Sequence, residues 1–271
     1  MNNLYRVIWS QAKKTWHVLA EKVAAMGSLS AHACRTLCLA GILAAAFPAH
    51  ALDPAALPTG GQISAGQGSI TQTGSNMTVN QQSDRMVADW STFDIGQDAG
   101  VSFLQPGVSS IALNRIQDQN PSLILGSLSS NGRIFLLNPS GIIFGSSARV
   151  DVGGLVASSL NLSDDDFLAG RYTFTGAGSG SILNQGHIRS AEGGYVAFLS
   201  PRITNEGTIT SPDGTVALAA GDKVSLDFAG DSLLSFTVEQ GSISAQIENK
   251  GLIQVNGGEV YLSAKAADEL T

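Results

Sequence analysis

The chain has 271 residues, with 31 Gly, 8 Pro and a charged fraction of 14%. Low charge, many glycines and scattered Val, Ile and Leu exclude a disordered chain and point to an all-β protein rich in turns. The net charge of −7 conceals an asymmetry: residues 52–271 hold 10 bases and 21 acids, a net of −11, which argues against nucleic acid as a partner.

Residues 1–51 read as a cleaved, extended signal peptide. Five bases (Arg6, Lys13, Lys14, Lys22, Arg35) accompany one acid, Glu21. Leu37 to Phe47 is an apolar run of signal-core length, too short to span a bilayer. Ala49-His50-Ala51 then supplies a small-x-small cleavage site, so the cut is expected between Ala51 and Leu52. The opening Met1 to Trp9, followed by Lys13, Lys14 and Trp16, resembles the extended signal region of large secreted exoproteins and autotransporters. The competing reading is an amphipathic cytosolic helix. Both cysteines, Cys34 and Cys38, fall in this segment, so the rest of the chain has no disulfide framework and no thiolate metal site.

From Leu52 to Asn120 the apolar residues come in short runs, such as Met77 with Val79, Phe93 with Ile95 and Val101 with Phe103, separated by Gly, Ser, Asn and Gln. They read as short strands. The next stretch, Asn131 to Ser159, sharpens the pattern. Apolar runs such as Ile134-Phe135-Leu136-Leu137 and Ile142-Ile143-Phe144 are divided by Asn-Gly, Asn-Pro and Gly-Gly punctuation. Asn138-Pro139 disfavours helix and marks a corner, at which Gly141 supplies a turn conformation.

Two motifs here carry a family resemblance: Asn120-Pro121-Ser122-Leu123 and Asn138-Pro139-Ser140-Gly141-Ile142. They resemble the Asn-Pro-Asn-Leu and Asn-Pro-Asn-Gly-Ile motifs of the N-terminal secretion domain of filamentous-haemagglutinin-type exoproteins, the substrates of bacterial two-partner secretion. Both depart from that pattern by Ser at the third position. Ser is a turn residue whose hydroxyl bonds nearby backbone, so the corners are expected to survive. Asp89 to Gly96 resembles a further segment of the same family, in which Trp and Phe pack near a cap, and Trp90 is read as a packing residue.

Beyond this stretch, Asp164-Asp165-Asp166 and Asp227 to Gly241 interrupt the pattern and are expected to leave it as loops or a short hairpin. The consecutive acids lack the spaced ligands of a calcium loop, so a solvated loop is the favoured reading. From Ile182 a repeat is legible. Asn184, Asn205 and Asn249 each precede a Gly by two residues (Gly186, Gly207, Gly251) and an Ile by four (Ile188, Ile209, Ile253). The Asn spacings are 21 and 44 residues, one and two periods of a solenoid. Two short strands per unit and no helix select a β-solenoid. The Asn side chains are expected to stack in a hydrogen-bonded ladder, the Ile to fill the core, and the Gly to take positive φ. At roughly 22 residues a turn, residues 52–271 would make on the order of ten coils.

Enzyme chemistry has little to stand on. After residue 51 the only histidine is His187, read as a solvent-facing strand residue, and no cysteine remains. Some β-solenoids cleave acidic polysaccharides with Asp, Lys and Arg on one face, and Arg149, Asp151 and Arg171 are of the right types. That alternative predicts acids and bases gathered in one groove; a smooth, ungrooved solenoid would argue against it.

The expected fold is all-β, a right-handed parallel β-helix over 52–271 with an N-terminal cap and hairpins outside the helix. The resemblance implies a secretion domain of an adhesin-like exoprotein, not an enzyme and without cofactor or metal. It implies export by the general secretory translocon, then recognition by the periplasmic POTRA domains of an outer-membrane transporter, and nucleation of β-helix folding at the cell surface. A host-cell receptor or glycan would be engaged through a downstream region. Asn120, Pro121, Ser122, Leu123, Asn138, Pro139, Ser140, Gly141 and Ile142 are the residues the resemblance ties to export. Both Asn corners are expected to be exposed, each contributing about 1 kcal/mol through a single hydrogen bond.

Overall fold

The computed structural model describes residues 5–10, 15–20, 52–176, 179–229 and 232–267. The chain forms two units, 1–49 and 50–271. In the first, Tyr5–Ser10 and Thr15–Ala20 pair antiparallel. The apolar run Leu37 to Phe47 and Ala51 lie outside the described residues.

The second unit is a parallel β-helix with three faces. One long face stacks Asn76–Gln81, Gly100–Leu104, Ser127–Ser130, the start of Arg149–Ser158, the start of His187–Leu199, Thr208–Thr210 and Leu252–Gln254. The second stacks Arg85–Trp90, Ile111–Ile116, Arg133–Leu137, the ends of the same two long strands, Thr215–Ala220 and Glu259–Ala264. The third stacks Ser122–Ile124, Ile142–Phe144, Ser181–Asn184, Arg202–Asn205 and Gln246–Asn249. Arg149–Ser158 and His187–Leu199 pass from the first face to the second, and their pairing shifts register between Val152 and Gly154.

Among the described residues seven strands stack on each long face, so the helix has fewer coils than its length suggests. The difference lies in chain outside the coils. At the start, the hairpin of Gly68–Thr73 with Asn76–Gln81 and the antiparallel pairing of Gln62–Ala65 with Arg85–Trp90 form the cap. Trp90 is buried under it, donates from Nε1 to Asn114 Oδ1 at 3.0 Å, and meets Phe93 edge-on at 5.2 Å. It is a packing residue, as the sequence predicts.

Two excursions leave the helix later and meet each other. Tyr172–Thr175 pairs with Lys223–Ala229, which pairs with Ser232–Gln240, giving a three-stranded antiparallel sheet. The hairpin expected near Asp227 to Gly241 is therefore present, beginning at Lys223. The acidic triplet is neither loop nor hairpin. Asp164–Leu168 is a single helical turn, capped by the Ser163 hydroxyl, which accepts from the Asp166 amide at 3.2 Å. Its three acids complement the positive end of that turn. Among the described residues no group of three His, Cys, Asp or Glu is placed to hold a metal ion.

Two cores result. The helix interior holds Val79, Ile134, Phe144, Ile188, Phe198 and Ile209, with Phe144 stacked on Phe198 at 5.9 Å. The second core lies between the outer side of the second long face and the three-stranded sheet, where Phe135, Val156 and Tyr195 meet Phe167, Phe174 and Leu226. Because that face is covered on both sides, Arg133–Leu137 is buried throughout, which explains its unbroken apolar run.

The repeat behaves largely as read. Asn184 Nδ2 donates to Asn205 Oδ1, and Asn205 Nδ2 to Asn249 Oδ1, both at 2.7 Å. Ile188, Ile209 and Ile253 are in register. The glycine reading needs correction. Gly186, Gly207 and Gly251 are not among the positive-φ residues. They are small because the coils touch there: a Cβ on Gly207 would lie 2.2 Å from the Gly186 carbonyl oxygen, and one on Gly251 2.1 Å from that of Gly207.

Candidate functional site

The two Asn-Pro motifs lie one above the other on the third face, because Ile142 pairs with Ser122 and Ile143 with Leu123. Each corner is set by its own short-range chemistry. In the lower one, Asp118 Oδ1 accepts from the Asn120 backbone amide and from Asn120 Nδ2, both at 3.0 Å. In the upper one, Asn138 Oδ1 accepts from the Ser140 amide at 2.9 Å, and the Gly141 amide closes the turn onto the Asn138 carbonyl at 2.9 Å. Asn first, Pro second and Gly fourth is the residue order this turn favours. Gly141 has φ +114°, as its place at the corner requires.

Side chains then lock the corners together. Asn138 Nδ2 donates to the Asn120 carbonyl at 3.1 Å and to Ser122 Oγ at 3.0 Å, and Ser140 Oγ donates to the Asp118 carbonyl at 3.0 Å. Both departures from the family motif, Ser122 and Ser140, are thus bonded within the stack. Asp118, which the sequence reading passed over, receives three of these bonds. Its position two residues before Asn120 was the available signal, since Asp caps its own turn in this way.

The two Asn are not equivalent. Asn138 is fully buried with three hydrogen bonds, so it is not the exposed corner residue expected. The turn tucks its side chain inward, against the coil below. Asn120, Pro121 and Pro139 are exposed; Ser140 and Leu123 are half-buried; Ser122, Gly141 and Ile142 are buried. The exposed part of the stacked corners is a ledge of Asn120, Pro121 and Pro139, backed by a buried hydrogen-bond network around Asn138.

Asp94 supports the ledge from the preceding coil. Its Oδ1 accepts from the Leu123 amide at 2.7 Å. Partial burial pushes its carboxyl above the usual range, the bond from Leu123 draws it back, and the charge of Asp118 pushes it up again.

The residues named for a polysaccharide-cleaving solenoid are not brought together. Arg149 and Asp151 are exposed on the first long face, whereas Arg171 follows the short helix, bound to Asp166 at 2.8 Å. His187 is exposed on its strand, as read. The surface is nevertheless grooved. A cleft of about 720 Å³ between the second long face and the three-stranded sheet gathers Arg85, Arg133 and Arg171 with Asp84 and Asp227. That mixture is the one the alternative reading predicts, but its bases serve the fold: Arg85 Nη1 holds the Phe167 and Leu168 carbonyls at 2.8 and 2.6 Å, and Arg133 is buried under the Tyr195 ring at 5.9 Å.

Comparison with known proteins bears on this geometry. The heme/hemopexin-binding protein of Haemophilus influenzae (strain ATCC 51907 / DSM 11121 / KW20 / Rd) is 30% identical over 230 residues, 79% of this chain and 24% of that relative. A second Haemophilus influenzae protein of that name is 40% identical over 103 residues, 38% of this chain and 11% of the relative. The chain therefore spans about a quarter or less of the length of the curated relatives it matches. The crystal structure of the HMW1 secretion domain from Haemophilus influenzae matches with a TM-score of 0.71 and 28% identity, over 76% of this chain and 56% of that one. The family model described as TPS secretion domain matches residues 55–271, which take in the cap, both Asn-Pro motifs and the coils above them. On that match, the chain belongs to the family of TPS secretion domains.

Proposed function

We propose that residues 52–271 are the part of an adhesin-like exoprotein that its outer-membrane transporter recognises. In this reading the general secretory translocon delivers the chain to the periplasm, and residues 1–51 are removed between Ala51 and Leu52. The POTRA domains of the transporter then bind the ledge of Asn120, Pro121 and Pro139. The observation that carries the reading is the family match over 55–271, which includes both motifs. The stacked corners support it: the buried network around Asn138 fixes the ledge before any partner arrives, so little ordering entropy opposes binding.

The final coil would nucleate folding of the polypeptide that follows at the cell surface. Among the described residues, Gln246–Asn249, Leu252–Gln254 and Glu259–Ala264 each pair on one side only. Their open edges and the exposed Leu252, Val260 and Leu262 are a template for one more coil. The heme and hemopexin binding named for the relatives, and any host receptor or glycan, would belong to regions outside the matched quarter.

Co-expression with a cognate transporter tests this directly. Release into the medium should require the transporter with its POTRA domains intact, and the released form should begin at Leu52. Release without the transporter, or a released form retaining Met1, would count against it.

A further inference from the structure

The upper edge of the last coil repeats, group for group, the corner chemistry by which each late coil holds the next. We propose that this end of the β-helix accepts only a coil-length segment carrying Asn-x-Gly-x-Ile and a second Gly nine residues after the Asn, as Asn205 to Gly214 and Asn249 to Gly258 do. This selectivity, which rests on the final coil being a folding template, turns an open edge into a sequence requirement.

The Asn ladder has a direction. Asn184 Nδ2 donates to Asn205 Oδ1 and Asn205 Nδ2 to Asn249 Oδ1, both at 2.7 Å, so each side chain gives to the coil above. The ladder is closed at its foot, where Asn184 Oδ1 takes the Gly186 amide at 3.1 Å. At its head, no acceptor for Asn249 Nδ2 is present among the described residues. The backbone follows the same course. The Asn184 carbonyl accepts from the Glu206 and Gly207 amides at 2.7 and 2.9 Å, and the Asn205 carbonyl from Lys250 and Gly251 at 2.7 and 2.9 Å. The Asn249 carbonyl stands in register with these, with no further coil among the described residues to supply the amides. An apolar residue laid over Asn249 would bury its donor unpaired, whereas Asn provides the acceptor and passes the ladder on.

Two columns of glycine fix the other positions. A Cβ on Gly207 or Gly251 would collide with the carbonyl oxygen of Gly186 or Gly207 below it. A Cβ on Gly194, Gly214 or Gly258 would collide in the same way with Gly153, Gly194 or Gly214. The next coil therefore needs Gly above Gly251 and again above Gly258. Between the columns, Ile188 and Ile209 are buried, but Ile253 is only half-buried, so a branched apolar residue four after the Asn completes its cover. The cap end of a second copy cannot meet these demands, because its outermost strands pair antiparallel to the strands they cover.

Calorimetric titration of the full chain with a synthetic peptide of its own Arg202 to Ala220 tests the requirement, since that segment carries Asn205, Gly207, Ile209 and Gly214. The peptide should bind saturably, one to one. Asn205→Ala in the peptide should weaken binding at least about tenfold, and Gly207→Ala further, because its Cβ meets the Gly251 carbonyl. Asn249→Ala in the chain should weaken the parent peptide by a similar factor and remove the response to Asn205→Ala, the mark of a direct pair. A melting curve checks that this variant folds, and the peptide variants decide the matter without it. Asn205→Ala or Gly207→Ala peptides binding as tightly as the parent would overturn the requirement and leave the template standing. Absence of binding by every peptide would overturn both. A chain that sediments as a dimer, dissociated by Asn249→Ala, would assign this end to a second copy and overturn the requirement as well. None of these outcomes bears on transporter recognition, which is read from secretion.

Discussion

Asn138 reaches down one coil and donates its side-chain amide to the backbone carbonyl of Asn120, 3.1 Å away. The two Asn of the paired motifs therefore have different duties. Asn138 is fully buried and serves the stack, whereas Asn120 is exposed and bonds mainly to Asp118. Asn138→Ala should cost about 2–3 kcal/mol, since it leaves the buried Ser122 hydroxyl and the half-buried Ser140 amide without their partner and opens a gap in the interior. Asn120→Ala should cost less than ~1 kcal/mol, because its partners can turn to water. Urea unfolding midpoints of the two variants would separate them. Equal stability would show that the buried network adds nothing.

The glycines at the coil junctions give a second contrast. Gly207 sits where the preceding coil's backbone, at the Gly186 carbonyl oxygen, would be 2.2 Å from an added Cβ, without positive φ, whereas Gly74 turns the cap hairpin at φ +59° with open space around it. Gly74→Ala should cost about 1–2 kcal/mol, the price of a left-handed residue. Gly207→Ala forces apart a stacked backbone and should cost more, about 3 kcal/mol or beyond. Thermal melts showing Gly207→Ala to be the milder change would contradict the reading of that column as a steric contact.

Much of the fold was legible because the late coils repeat a residue pattern and not only a period. Asn184, Asn205 and Asn249 recur in the same local pattern, and their side chains form the ladder that this pattern implies. The early coils share the geometry without the residues. The 18-residue step from Asn120 to Asn138 is a coil too, but the insertion-free early turns lack the Asn-x-Gly-x-Ile signature, so the stacking of the two motifs went unseen. Burial of Asn138 was hidden for a related reason: a polar corner residue reads as exposed until the neighbouring coil is in place. The helical turn at Asp164–Leu168 did carry a local signal, since Ser163 followed three residues later by Asp166 is a capping sequence. The arginines of the cleft carried none. Arg85, Arg133 and Arg171 are far apart in the chain and meet only because two excursions fold back on one face.

Acid should relieve one strained carboxyl. Asp94 is pushed up by burial, with Asp118 adding to it and the Leu123 hydrogen bond opposing. A carboxyl with a raised folded pKa keeps its proton longer in the fold than in the unfolded chain. Its contribution to stability is fully present below the ordinary aspartate value and is lost as pH rises through the folded one. Asp94→Asn retains an oxygen for the Leu123 amide and removes this titration. The variant and the parent should match in acid, and the variant should melt higher at neutral pH. A gap independent of pH, or one favouring the parent at neutral pH, would show that ionised Asp94 is not a cost.

The most direct test of the account is secretion of the Asn120→Ala chain beside its own stability. The variant and the parent are expressed with the cognate transporter, release into the medium is quantified, and the purified chains are unfolded in urea. The account predicts that release falls well below the parent while the unfolding midpoint barely moves, because Asn120 belongs to the exposed ledge and not to the buried network. Parental release from a variant of parental stability would contradict the assignment of the ledge to transporter recognition.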